Sequence, residues 1–84
     1  MGEVNIRPWC LSPAESWQQP TGDEIKEVLR LAGLTNAEAA KMLGLGSGGG
    51  RTVRRWTGEE SEISYAAWAL LCHAAGLGAI WKDG

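Results

Sequence analysis

Gly33-Leu34-Thr35-Asn36-Ala37-Glu38-Ala39-Ala40-Lys41-Met42-Leu43-Gly44 is the stretch whose reading decides the fold. Thr35 with Glu38 three residues later is a capping box: the hydroxyl and the carboxylate each accept one orphan backbone N–H at a helix start. Ala39, Ala40 and Leu43 continue a helix with small apolar side chains, and Gly44 stands where a left-handed C-cap belongs. Upstream the pattern repeats. Thr21-Gly22-Asp23-Glu24 is a second box, Ile25, Val28, Leu29 and Ala32 fall at i, i+3, i+4 and i+7, and Gly33 closes the run. That spacing buries one face of a helix. Two one-sided helices joined by a very short turn are therefore predicted.

Downstream, Gly44 to Gly50 reads Gly-Leu-Gly-Ser-Gly-Gly-Gly. Each glycine costs a helix about 1 kcal/mol, so this stretch is predicted to be irregular, with the helix resuming near Arg51 and running to Gly58. An acidic turn follows (Glu59, Glu60, Glu62), then a strongly apolar helix from Ser64 to Ala75, ended by Gly76. An apolar helix of this kind is either central or dimer-forming. Toward the N-terminus, Ser12-Pro13-Ala14-Glu15 offers a third box and predicts a short helix from about Pro13 to Gln18. Val4 and Ile6 alternate with polar neighbours, as in an extended arm or short edge strand. The expected fold is all-α: a small bundle of four to five helices containing a helix-turn-helix, with an extended N-terminal arm. Residues 1–20 form the arm with its short helix, 21–76 the helix-turn-helix domain, and 77–84 a tail carrying Ile80 and Trp81.

Composition bounds the function. At 84 residues, 44% hydrophobic and a net charge of −2, the chain suits one small domain and leaves it marginal without a partner. No run of about 18 apolar residues offers a membrane span. The opening MGEVNIRPWC has no basic start followed by an apolar core, which predicts no secretory leader and a cytoplasmic location. Cys10 and Cys72 are then expected as buried thiols. Cys72 and His73 point about 100° apart on a helix, a poor start for a metal site, and no metal is expected. Five tryptophans spread from Trp9 to Trp81 suggest that both termini pack on the core or on a second subunit.

Gly44, Gly46 and Gly49 match a dinucleotide fingerprint literally, but that motif must follow a strand, whereas a capped helix precedes it here. No cofactor is expected. No nucleophile–base set is visible, and His73, the sole histidine, lies in the apolar helix, so no enzyme is expected. The informative segment is Arg51-Thr52-Val53-Arg54-Arg55-Trp56. With Val53 and Trp56 against the core, Arg51 and Arg55 point almost directly outward, flanked on opposite sides by Thr52 and Arg54. Arginine offers a bidentate fork to guanine O6 and N7 and also neutralises phosphates. Residues 44–58 hold three arginines and no acid, so this face is basic although the chain is not.

The order from Leu34 to Trp56 resembles the helix-turn-helix of the Cro/Xre-type transcriptional regulators, carried by Gly-Leu-Thr-x-x-Glu-Ala-Ala-x-x-Leu-Gly (Gly33 to Gly44) and Thr-Val-x-x-Trp (Thr52 to Trp56). In that family the second alanine, here Ala40, lets the helices cross closely, and the glycine at Gly44 turns the chain. Seven residues (Leu45 to Arg51) separate Gly44 from Thr52, longer and richer in glycine than the family's usual turn. This predicts a loop that orders when phosphates meet its backbone N–H groups, so alanine at Gly48 and Gly49 is expected to weaken binding. The resemblance implies a sequence-specific double-stranded-DNA binder, a repressor, acting as a homodimer on half-sites about 34 Å apart or multiples of that. Arg51, Thr52 and Arg55 are expected to meet bases, and Arg54 a phosphate, with Lys41 and Ser47 as further contacts and Lys26 and Arg30 as weaker candidates. The apolar helix, the tail and the Val4–Trp9 arm are the candidate dimer surfaces. The competing reading is a protein-interaction module, an antitoxin or adaptor with the helix-turn-helix as scaffold, which the acidic balance and the many tryptophans favour.

Overall fold

A computed structural model of the chain describes residues 6–82. Four α-helices follow one another: α1 (Gly22–Ala32), α2 (Asn36–Leu43), α3 (Gly49–Thr57) and α4 (Tyr65–Ala74). Two 3-10 turns, Pro8–Leu11 and Ala14–Ser16, precede them, and no strand occurs among the described residues. The fold is a small all-helical bundle.

The local signals explain α1 and α2. Thr21 and Thr35 each accept the N–H of the glutamate three residues on, at 3.2 and 3.1 Å. Glu24 and Glu38 return the bond from the threonine N–H groups at 2.7 and 2.9 Å. Gly33 and Gly44 close these helices at φ 70° and 72°, a conformation that costs glycine nothing. α1 packs on α4 and α3, while α2 lies mainly along α3. Ile25 and Val28 of α1, Val53 of α3, and Trp68 and Leu71 of α4 meet in a core that Ile63 and Ile80 complete.

The third box does not form. Pro13, not Ser12, takes the cap position without a side-chain bond, and the hydroxyl of Ser12 leans back on the Pro8 carbonyl at 3.4 Å. Instead of a helix to Gln18 there is one 3-10 turn, because Trp17 leaves it to set its ring edge-on against Tyr65, 5.2 Å away. A segment this short cannot offset the cost of helix nucleation unless it keeps an apolar face to bury.

Nor is the N-terminal segment an extended arm over its described part. Ile6 and Cys10 are buried in the core, and Pro8–Leu11 is coiled. The indole N–H of Trp68 donates to the Cys10 carbonyl at 2.6 Å, and the Tyr65 hydroxyl donates to that of Ser12 at 3.0 Å. Val4, the other residue of the expected arm, lies outside the described residues. Arg7 completes the attachment by pairing with the buried Glu24, its Nε and Nη2 reaching the two carboxylate oxygens at 2.9 and 2.8 Å. Burial pushes the Glu24 carboxyl up, but the Arg7 side-chain and backbone bonds and the Thr21 N–H outweigh it and hold it down at about 2.

One prediction about the glycine-rich stretch is corrected. α3 begins at Gly49, so Gly49 and Gly50 are helical and only residues 44–48 form the turn. A close helix crossing outweighs their poor propensity. A β-carbon on Gly49 would lie 2.8 Å from that of Ala40 and 2.7 Å from that of Leu45, while one on Gly50 would rest 3.6 Å from the Ala37 backbone. Small residues on both helices let the backbones approach. The turn is therefore shorter than its glycine content suggests.

Candidate nucleic-acid interface

α3 is amphipathic in the sense that its sequence requires. Val53 and Trp56 enter the core, Arg51, Arg54 and Arg55 are exposed, and Thr52 is half-buried. At about 100° per residue Arg51 and Arg55 stand some 40° apart on the outer side. No carboxylate among the described residues lies within ion-pair distance of these three arginines. The guanidinium groups are thus free to meet an external anion.

The acidic turn does not wall them off. Glu59 uses its carboxylate to accept the N–H of Gly22 at 2.7 Å, at the start of α1, and pairs with none of the arginines. Glu60 and Glu62 are exposed and pair with none of the arginines. The α3 exit is held by its backbone: the Arg54 carbonyl accepts the Gly58 N–H at 2.9 Å and the Thr57 hydroxyl at 2.9 Å, and the Arg55 carbonyl accepts the Glu60 N–H at 2.8 Å.

Beside the α3 start, a cleft of about 540 Å³ is lined by Ala37, Ala40, Lys41 and glycines of the turn. Lys41 is exposed on its wall, and Ser47 is exposed on the turn itself. The structure thus brings Lys41 and the α3 N-terminus together. Arg30 is engaged elsewhere, bonded through Nε and Nη2 to Glu27 at 3.0 and 2.7 Å. Lys26 is exposed on α1.

A second surface lies on the apolar helix. Tyr65, Ala66, Ala69, Leu70 and Trp81 line a shallow groove of about 370 Å³, with Leu70 49% and Trp81 44% exposed. The His73 ring stacks on Trp81 with centroids 6.0 Å apart. Among the described residues, the segments flanking the four helices pack through Ile6, Cys10 and Ile80, whereas Trp9 and Trp81 face outward. Both cysteines are free thiols in the core; burial raises both, Cys72 to about 12.

The close crossing at Ala40 is as expected, but two features of the site escaped the sequence reading: Gly49 as the helical partner of Ala40, and the Glu59–Gly22 bond. Ala37 and Ala40 on α2 facing Gly49 and Gly50 were a usable signal for the first, since small residues on both partners mark a close approach. The second joins residues 37 apart and left no local trace.

A compact helical chain with an unpaired basic helix face is the build of a transcriptional regulator, and comparison places the chain among the repressors. It is 68% identical over 82 residues, 98% of this chain and 96% of the other, to an Escherichia coli protein named transcriptional repressor protein KorC. A second Escherichia coli protein of that name is 65% identical over 81 residues, 96% of this chain and 95% of its own length. The chain belongs to the KorC family of transcriptional repressors. No protein-family model and no solved structure matches it.

Proposed function

We propose that this repressor acts by sequence-specific binding of double-stranded DNA, with α3 laid in the major groove as the second helix of a Cro/Xre-type helix-turn-helix. The observation that carries the reading is the free guanidinium face of α3, with Arg51, Arg54 and Arg55 exposed and unpaired while Val53 and Trp56 fix the helix from behind. Arg51 and Arg55, with Thr52 beside them, read base edges, because a guanidinium fork matches guanine O6 and N7. Arg54, on the flank, meets a phosphate, as do Lys41 and Ser47 at the helix entry. The protein binds as a homodimer, for which the uncharged groove around Leu70 and Trp81 is the available surface.

Salt separates this reading from a protein-interaction module. Affinity for a duplex enriched from a random pool falls steeply between about 50 and 200 mM salt, as counterions released by several phosphates require. Flat salt dependence, or no enriched duplex, would contradict it.

A further inference from the structure

The junction between the end of α3 and the start of α1 is built more tightly than helix packing requires. Gly22 lies so close beneath the Thr57 carbonyl that a β-carbon there would meet that oxygen, and Gly22 is buried. Two residues on, Glu59 adopts φ 60°, the one non-glycine residue at positive φ among the described residues. A side chain resists that conformation, so something must hold it. The helix-end backbone bonds hold it, Glu59 N–H to the Trp56 carbonyl at 3.1 Å and Glu60 N–H to the Arg55 carbonyl at 2.8 Å. That turn aims the Glu59 carboxylate at α1, where it accepts the Gly22 N–H at 2.7 Å and sets a negative charge at the positive end of the helix. The other orphan carbonyls of α3 are taken within its own exit turn. Beyond the burial of Trp56, the contact through Gly22 and Glu59 is thus a polar link that fixes the C-terminal end of α3 to α1.

We propose that Glu59 is a positioning residue for DNA reading: its bond to Gly22 sets the angle at which α3 presents Arg51 and Arg55, while the residue itself touches no DNA. This rests on the assignment of α3 as the reading helix. Three substitutions separate geometry from charge. Glu59→Gln and Glu59→Ala remove the same charge, but only glutamine keeps an acceptor for the Gly22 N–H. Glu59→Asp keeps the charge on a chain one methylene too short to hold the same spacing.

The test compares binding to a duplex enriched from a random pool with binding to a mixed-sequence duplex of equal length. It is run at 10 °C, with helix content checked by circular dichroism. The ratio of the two affinities is expected to fall about tenfold in the alanine and aspartate variants and to stay within about threefold of the parent in glutamine, since a tilted α3 loses part of a bidentate base contact. A merely structural residue would lower the melting temperature and leave the ratio of the folded protein unchanged. An unchanged ratio in folded alanine or aspartate variants overturns the proposal, as does an equal loss in glutamine. Failure of the parent protein to enrich any duplex overturns the DNA reading itself, and the positioning role with it.

Discussion

Gly49 of α3 and Ala40 of α2 meet so closely that a β-carbon on Gly49 would lie 2.8 Å from that of Ala40. This crossing sets the distance between α2 and α3 at the α3 entry, as Gly22 of α1 beneath the Thr57 carbonyl sets the distance between α1 and α3 at the exit. Between these two points Val53 and Trp56 enter the core, and the arginines are left outside.

The crossing sorts three neighbouring glycines. Gly49→Ala overpacks the contact and is expected to destabilise the fold by about 1–3 kcal/mol. Gly48→Ala meets open space but inherits φ 82°, a left-handed strain of about 1–2 kcal/mol. Gly50→Ala makes only ordinary contacts, the nearest at 3.6 Å, and is expected to stabilise by up to about 1 kcal/mol through helix propensity. Urea midpoints of the three variants check the order.

Acid should loosen the attachment of the N-terminal segment. The Glu24 carboxyl titrates at about 2 in the fold against an ordinary 4.5. A depressed carboxyl adds stability that is full above 4.5 and lost as pH falls toward 2, on the order of 3 kcal/mol for this buried group. Glu24→Gln is expected to be less stable than the parent at pH 7 and to show little of this acid limb. Denaturant titrations from pH 7 to pH 2 measure it; parallel acid limbs in the two proteins would contradict the assignment.

Local chemistry made much of this legible. Thr21 with Glu24, Thr35 with Glu38, and the caps Gly33 and Gly44 are contacts within a few residues, so the chain itself announces α1 and α2. The outward direction of Arg51 and Arg55 follows from helix period once Val53 and Trp56 are taken as the inner side. Long-range contacts were not legible. Gly49 and Gly50 read as loop because propensity is local, whereas their partners Ala37 and Ala40 become relevant only across the helix pair. Ser12 to Glu15 carries the letters of a capping box, yet Trp17 is drawn off to Tyr65 and the turn stops. Arg7 with Glu24 and Glu59 with Gly22 lie 17 and 37 residues apart, beyond any pattern in the chain.

Self-association can be checked apart from DNA. Leu70 is 49% exposed, so Leu70→Glu is expected to change monomer stability by no more than about 0.5 kcal/mol while weakening a dimer built on this groove. Sedimentation equilibrium of parent and variant decides; a variant as dimeric as the parent moves the interface elsewhere.

Phosphate and base contacts should differ in their signatures. Lys41→Ala is expected to weaken binding to all duplexes alike and to reduce the salt slope by about 1. Arg54→Ala is expected to behave in the same way. Titrations over a range of salt on enriched and mixed-sequence duplexes distinguish these variants from those at base-reading positions.

The most direct measurement is a gel-shift titration of Arg55→Ala against the enriched duplex and a panel of its single-base variants. Loss of a bidentate base contact predicts about 1–3 kcal/mol weaker binding to the parent sequence and near-equal binding across the bases at one position. Parent-like affinity with parent-like discrimination at every position would show that α3 does not read DNA through this face.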